Sequence, residues 1–493
     1  MYRVAFGKTI PRYNESPPYH PSGDYPELPF TERSDSVNFP YDLCRRLMAE
    51  SGYDQSNFGK PNWNPLGHLC KPGQTVLLKP NFVNSLNVSG GELYGVVTHP
   101  SVLRVALDYA YIALRGDGKI FIADSPQMDC DWNQLMDLLR LNEIISFYRS
   151  RFGFEVQLID LRSFALIDPK QLAFPSNRKS RSGDPNGHVI INLASESKFF
   201  GQSNEHLYYG ADFDRAKTLR HHTGITHEYA ISRTALSADL FISIPKMKVH
   251  KKVGVTLNLK GLVGITTDKN YLIHYRLGSP ATGGDAIPED TPHREQRFLR
   301  CQQHLYDFLL ASQTRRGEYL YKLVARIYRR FLKPFFYISP STAIQEGGNW
   351  YGNDTAWRMV ADLYKLILYA DSSGTMRQQP QRNFFCLVDG IVGGEKEGPL
   401  APTAKPAGCL VMGENPMAVD LVVTRLMGYD IRKIRQFDVR QDHPASGEGC
   451  FENCIEIISD SLPQNGRDFF HPEFRDRLLD FESHPNWKGH IEV

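Results

Sequence analysis

The sequence predicts an α/β fold: a mostly parallel sheet covered by helices on both faces, with insertions and an irregular N-terminal arm. Three observations predict it. Short apolar runs such as TVLLKPNFV, GKIFIADSP and ADLFISIPK recur along the chain. Segments of helical period alternate with them. The runs are apolar almost throughout, as expected of strands buried on both faces.

The elements follow in order. Residues 1–70 are rich in Pro, Tyr, Asn and Ser and read as an arm around one helix, YDLCRRLMAESG. TVLLKPNFV is the first buried strand. THPSVLRVALDYAYIAL is a helix, with Pro100 in its first turn and Val102, Ala106, Tyr109 and Ala113 on one face. GKIFIADSP is a strand, WNQLMDLLRLNEIISFYRSRFG a helix and FEVQLIDL a strand. Residues 165–235 are polar, with a β-rich excursion at HVIINL, and ADLFISIPK returns to the sheet. EYLYKLVARIYRRFLKPFFYI reads as a helix with interleaved Lys322, Arg326, Arg329, Arg330 and Lys333. A loop follows and enters an amphipathic helix with Asp354 as its expected N-cap. RNFFCLVDG and GCLVMGE are strands, and NPMAVDLVVTRLMGYD is a helix capped by Asn415 with Pro416 in its first position. The organisation expected is an arm over 1–70, an α/β core over 71–267 and 342–460, a helical insertion over 268–341 and a C-terminal tail over 461–493.

Composition narrows the function classes. The 493 residues carry a net charge of +2, so no global field calls for nucleic acid. The N-terminus lacks the apolar stretch of a signal peptide and no run is long enough to span a membrane, so a cytoplasmic protein is expected. The eight cysteines are scattered, and the one close pair, CFENC, lacks C-x-x-C spacing; no iron–sulfur cluster is expected, and any other cofactor or metal stays open, with Asn81 and Asp124 placed to orient a substrate or a metal. His221, His222 and His227 lie together in HHTGITH without the helical spacing of a zinc site. Ser125 has no G-x-S-x-G elbow around it, which disfavours a serine hydrolase.

Polar residues gather where the strands end. The ends carry Lys79 and Asn81, then Asp124, then Lys246, Lys248 and His250, then Asp389 and Gly390. Parallel strands bring such ends to one rim, where open α/β sheets hold ligands. In SIPKMKVHKKVGVTLNLKGLVG, alternation puts Lys246, Lys248 and His250 on one side and Met247 and Val249 on the other. Lys260 lies one helical turn after Thr256 and shares its face. Buried lysines need carboxylates or an anionic ligand. Asp124 and Asp389 are candidate partners, so a structural ion-pair network competes with a ligand site. VDGIVGGEKEGP reads either as a phosphate-cradling loop or as a plain turn.

At these residues the chain resembles the conserved prokaryotic family catalogued as domain of unknown function 362. LLKPNFV, THPSVLRVAL, IFIADSPQ, ISIPKMKVHKKVGVTLNLKGLVG, VDGIVGGEKEGPL and NPMAVDLVVTRLMGYD carry the resemblance, over about residues 74–430. The family has no settled general activity. Some members carry a ferredoxin-like segment, whose cysteine clusters this chain lacks. A more distant likeness to the nickel-dependent lactate racemase family carries no residue over.

The expectation is an enzyme acting on a small anionic substrate, a carboxylate or a phosphate. His250, Lys246 and Asp124 are the catalytic candidates, with Lys79, Asn81, Lys248, Lys260, Asp389 and Gly390 as ligand-binding candidates. The alternative is a non-catalytic ligand-binding or assembly protein that uses the basic aromatic helix near 319–338. That helix reads first as cover for the protein's own core, then as a partner surface, and last as a membrane-surface contact.

Overall fold

The strands of the central 11-stranded sheet are β1 (Tyr2–Lys8), β2 (Thr75–Pro80), β3 (Lys119–Asp124), β4 (Val156–Asp160), β5 (Leu240–Ile244), β6 (Lys246–His250), β7 (Gly254–Val255), β8 (Asn383–Glu395), β9 (Thr403–Lys405), β10 (Cys409–Gly413) and β11 (Ile455–Ile458). Their main order is β11-β1-β10-β8-β5-β2-β3-β4. The computed structural model describes all residues except 312, 333–337, 443–450, 460, 472 and 475–478. Cys450 and Lys333 therefore lie outside the described residues.

The run β8-β5-β2-β3-β4 is parallel throughout. Antiparallel pairings flank it, β8 with β10 and β10 with β1, while β1 and β11 pair in parallel. The sheet is thus mixed but mostly parallel. Alternation along each strand feeds two cores. Leu240, Ile242 and Ile244 of β5 face one, and Phe241 faces the other. Helices Phe39–Glu50, Pro100–Leu114 and Leu141–Phe152 cover the first face, and Ala356–Tyr369 and Pro416–Leu426 the second. Each fully buried Leu, Ile or Phe contributes roughly 1.5–3 kcal/mol, which is why near-continuous apolar strands need cover on both sides.

Local sequence explains the helix starts. Pro100 opens its helix, and the His99 ring accepts the Ser101 N–H at 3.0 Å. The Asn415 side chain accepts from Ala418 N–H, with Pro416 in the first turn. One cap differs from expectation. The Ala356–Tyr369 helix is capped by Asn353, whose Oδ1 accepts from Thr355 and Ala356 N–H at 3.0 and 2.8 Å. Asp354 instead gathers Arg276 and Arg358.

Three segments read differently in the structure. Tyr2–Lys8, inside the expected arm, is a sheet strand between β10 and β11. Within the expected tail, Phe481, Trp487 and Ile491 are buried in a sheet core. VDGIVGGE is not a loop: it is the second half of the 13-residue strand β8. The excursion does hold strands, with His188–Asn192 pairing Thr226–Ser232. The insertion is a helical hairpin, His293–Leu310 and Arg315–Ile327, the latter continued by one π-helical turn, Tyr328–Leu332.

Candidate functional site

The parallel order brings the carboxyl ends of β8, β5, β2 and β3 side by side. Beyond them lies a cleft of about 560 Å³, within the size range of small-molecule sites. Of the residues expected from sequence, Lys79, Asn81, Asp124, Lys248, His250 and Lys260 line it. Lys246, Asp389 and Gly390 do not.

Those three belong to a closed cluster. The Lys246 amine donates to Asp389 Oδ2 at 2.5 Å and to the Tyr13 hydroxyl at 2.8 Å, and both charged side chains are fully buried. Tyr13 donates to Asp389 Oδ1 at 2.7 Å, and the backbone N–H of His99 donates to Oδ2 at 3.0 Å. The Tyr13 and His99 rings stack at 3.9 Å. A catalytic role for Lys246 and a ligand-binding role for Asp389 do not fit this arrangement, because each already holds the other. Gly390 serves packing: a Cβ there would lie 2.7 Å from Met247 and 2.8 Å from the Cys409 sulfur.

At one wall of the cleft a second pair is also satisfied. Lys79 meets Asp124 Oδ1 at 2.9 Å, and Asp124 accepts from Phe82 and Ser125 N–H at 2.6 and 2.8 Å. Gly264 lies against this pair; a Cβ would fall 1.9 Å from Asp124 Oδ1. Asp124 is therefore a structural anchor at the rim, with its oxygens engaged.

The remaining amines are different. Lys248 reaches only neutral acceptors, Val96 O at 2.6 Å, Asn81 Oδ1 at 3.3 Å and Pro399 O at 3.3 Å. Burial, then the charge of Lys246, hold its pKa well below the usual lysine value. Lys269, which sequence reasoning missed, donates to Ser125 O at 2.7 Å, to Ser125 Oγ at 2.9 Å and to Pro126 O. Burial pushes it down to about 8. Lys252, also missed, donates to Gly347 O, and burial with neighbouring Lys251 lowers it to about 7. Lys260 is buried and, among the described residues, has no hydrogen-bond or ion-pair partner; burial and Lys269 lower it to about 7. Thr256, one turn away, also lines the cleft, and its buried hydroxyl has no partner.

His250 and His274 complete the wall. Burial and the charges of Lys260 and Lys252 keep both well below the ordinary histidine range, so both are neutral near pH 7. His250 Nδ1 accepts the Lys252 N–H at 3.0 Å, which puts the proton of the neutral ring on Nε2. His250 is thus a hydrogen-bond donor in this state. A lone pair able to take a proton belongs to Lys260, which at about 7 is shared between its charged and neutral forms near neutrality. Asp129 and Asp212 also line the cleft, and burial raises Asp212 to about 6. Six lysines and two histidines face three aspartates, one of them already tied to Lys79. Amines and imidazoles thus outnumber carboxylates along the cleft wall.

Lys269 and His274 were missed because the sequence turns irregular after residue 267 and reads as an insertion. The signal within reach was DKNYLIHY, with its charged residues among apolar ones, directly after GLVGITT. No group of His, Cys, Asp and Glu suited to a metal occurs among the described residues. His221 instead pairs with Glu228 at 2.6 Å, and His222 bonds Tyr271 O at 2.7 Å. A second hollow, about 790 Å³ beside Arg3 and His68, has exposed and mutually paired charges, Arg3 with Glu456 and His68 with Glu414.

The model of the family described as Domain of unknown function (DUF362) matches residues 200–425. The match takes in Lys246 through Gly264 and strand β8, with the earlier strands β2 and β3 preceding it. The resemblance found in the motifs is therefore borne out over this stretch, which is shorter than the motifs suggest. The description assigns no activity. No curated protein and no solved structure matches the chain.

Proposed function

We propose that the chain is a cytoplasmic enzyme acting on a small carboxylate or phosphate compound bound in the cleft beyond β2, β3 and β5. The observation that carries this reading is the unpartnered amine of the buried residue Lys260 within a cleft where amines outnumber carboxylates. Lys248 and Lys260 hold the anion, His250 donates a hydrogen bond through Nε2, and Lys260 or Asp212 exchanges a proton with the substrate. A binding protein without chemistry would use the same amines, but has no need of a neutral base beside a neutral imidazole donor.

The test is calorimetric titration with inorganic phosphate, oxalate and phosphate monoesters, each in two buffers of different ionisation enthalpy. An anion returns protons to the lysines, so binding near pH 8 should take up protons from buffer. Lys248→Met should weaken binding about tenfold or more while the protein stays folded, the loss of one charge-assisted contact. Absence of binding by every anion, or binding that Lys248→Met leaves unchanged, overturns the reading.

A further inference from the structure

The helical hairpin beside the cleft has an inner face that is fastened and an outer face that is bare. On the inner side, Glu318 accepts from Ser176 Oγ at 2.5 Å and from Ser176 N–H at 3.0 Å. Tyr321 packs on Phe174 and Tyr306 with ring centroids 5.5 and 5.4 Å away, and Tyr328 stacks on Phe298 at 5.7 Å. Tyr306 also lines the cleft, so the hairpin stands at its mouth.

On the outer side Tyr319, Leu323, Ile327 and Phe331 recur every four residues, a single row along the helix. All four are exposed, Tyr319 by 68% and Phe331 by 64%, and Phe308 of the other arm by 80%. A row of this kind is not core cover, since nothing in the chain's described residues covers it. Next to it run Arg326 and Arg330, one position back in the same four-residue spacing, whereas Lys322 in that series turns inward to Glu318 and the Phe174 ring. Over residues 315–332 six basic residues stand against a single carboxylate, Glu318, which pairs with Lys322 and leaves five basic residues in excess, although the whole chain nets only +2.

We propose that this hairpin lies on an anionic lipid surface, with Tyr319, Leu323, Ile327 and Phe331 among the acyl chains and the flanking Arg326 and Arg330 at the headgroups. An apolar row edged by one sign of charge matches a bilayer whose headgroups carry the other. Pairing of two copies through the same row would set two strongly basic faces together, which charge repulsion opposes. The contact is superficial: among the described residues no helix is long and apolar enough to cross a membrane.

Flotation of the full chain tests this, with phosphatidylcholine vesicles and with phosphatidylcholine–phosphatidylglycerol vesicles, at low and high salt. The chain should float with the anionic vesicles, far less with the neutral ones, and less as salt rises. Arg326→Glu/Arg330→Glu and Leu323→Ser/Ile327→Ser should each reduce the bound fraction about tenfold, with melting temperatures unchanged. Should the serine variant melt early, the charge-reversal variant, whose substitutions are exposed, decides. A wild-type chain that stays unbound with anionic vesicles, or variants that float as well as wild type, overturns the proposal. So does a wild-type dimer in gel filtration that Leu323→Ser/Ile327→Ser splits, since that assigns the row to a second copy.

Discussion

Lys246 and Lys248 stand two residues apart on one strand, both fully buried, and have opposite fates. Lys246 faces Asp389 across the β6–β8 pairing, and Lys248 faces Gly394. Two residues on β6 thus span five on β8, because the register shifts between them. Lys246 obtains a carboxylate, a tyrosine hydroxyl and a closed surround. Lys248 obtains a residue without a side chain and must use carbonyl and amide oxygens. Of the two readings open to the sequence, structural network and ligand site, the first holds at Lys246, while Lys248 is left without a compensating carboxylate, and one irregularity in the pairing separates the two. Burial of a lysine does not distinguish them; what distinguishes them is whether its neighbours carry the compensating charge.

The largest expected effect lies in the closed region. Asp389→Leu leaves Lys246 buried and uncompensated, and should cost about 3–5 kcal/mol in urea unfolding. The double variant Lys246→Met/Asp389→Leu should recover most of that loss, because an apolar pair of similar size is often no worse than a buried ion pair. Phosphate affinity of whatever remains folded should not change. If the single variant costs less than about 1 kcal/mol, or if it abolishes phosphate binding, the division between closed cluster and open cleft fails.

A smaller effect belongs to the open region, and its sign is fixed by linkage. Lys260 titrates at about 7 in the folded chain, against about 10.4 in the unfolded one. Between those values the unfolded state keeps its proton and the folded state has released it, so stability from this residue rises with pH. Its burial penalty is felt in full below about pH 7. Relative to Lys260→Met, wild type should therefore gain about 2 kcal/mol between pH 7 and pH 9. Asp212 and Asp420, which titrate at about 6 and about 7, are common to both proteins and largely cancel in the difference. Saturating phosphate should flatten the wild-type curve by returning the proton. A flat difference without phosphate would show that Lys260 is compensated after all.

Much of this comparison could be read from sequence, and the unread part has physical reasons. The apolar runs of β2, β3, β5 and β8 announce strands buried on both faces, and their polar ends announce the rim. Alternation correctly sends Met247 and Val249 to the core. It cannot reveal the register shift, which depends on β8, more than a hundred residues away, and so it placed Lys246 with Lys248. Strand β1 escaped notice because its partners, Cys409–Gly413 and Ile455–Ile458, are equally remote and its neighbourhood is rich in Pro and Tyr. The glycines of VDGIVGGE suggested a loop; they are there because other chain segments press on the strand. A Cβ on Gly393 would lie 2.5 Å from Phe481, and one on Gly394 would lie 2.4 Å from Gly95 O. Lys269 and His274 were lost to a boundary drawn where periodicity stops, although a site wall needs no periodicity.

The smallest expected effect concerns a single hydroxyl. Thr256 Oγ1 is buried in the cleft wall with no partner, whereas every polar atom of the Lys246–Asp389 cluster has one. An unpaired buried hydroxyl costs free energy, so the near-isosteric Thr256→Val should leave stability unchanged or raise it by up to about 1 kcal/mol. If the cleft's anion is what the hydroxyl awaits, the same change should weaken phosphate binding about three- to tenfold, the net worth of one typical hydrogen bond. Thermal unfolding without ligand and calorimetric titration with phosphate read the two quantities separately. A loss of stability without a loss of affinity would assign the hydroxyl to the fold, and Thr256 would then belong with Asp389 rather than with Lys260.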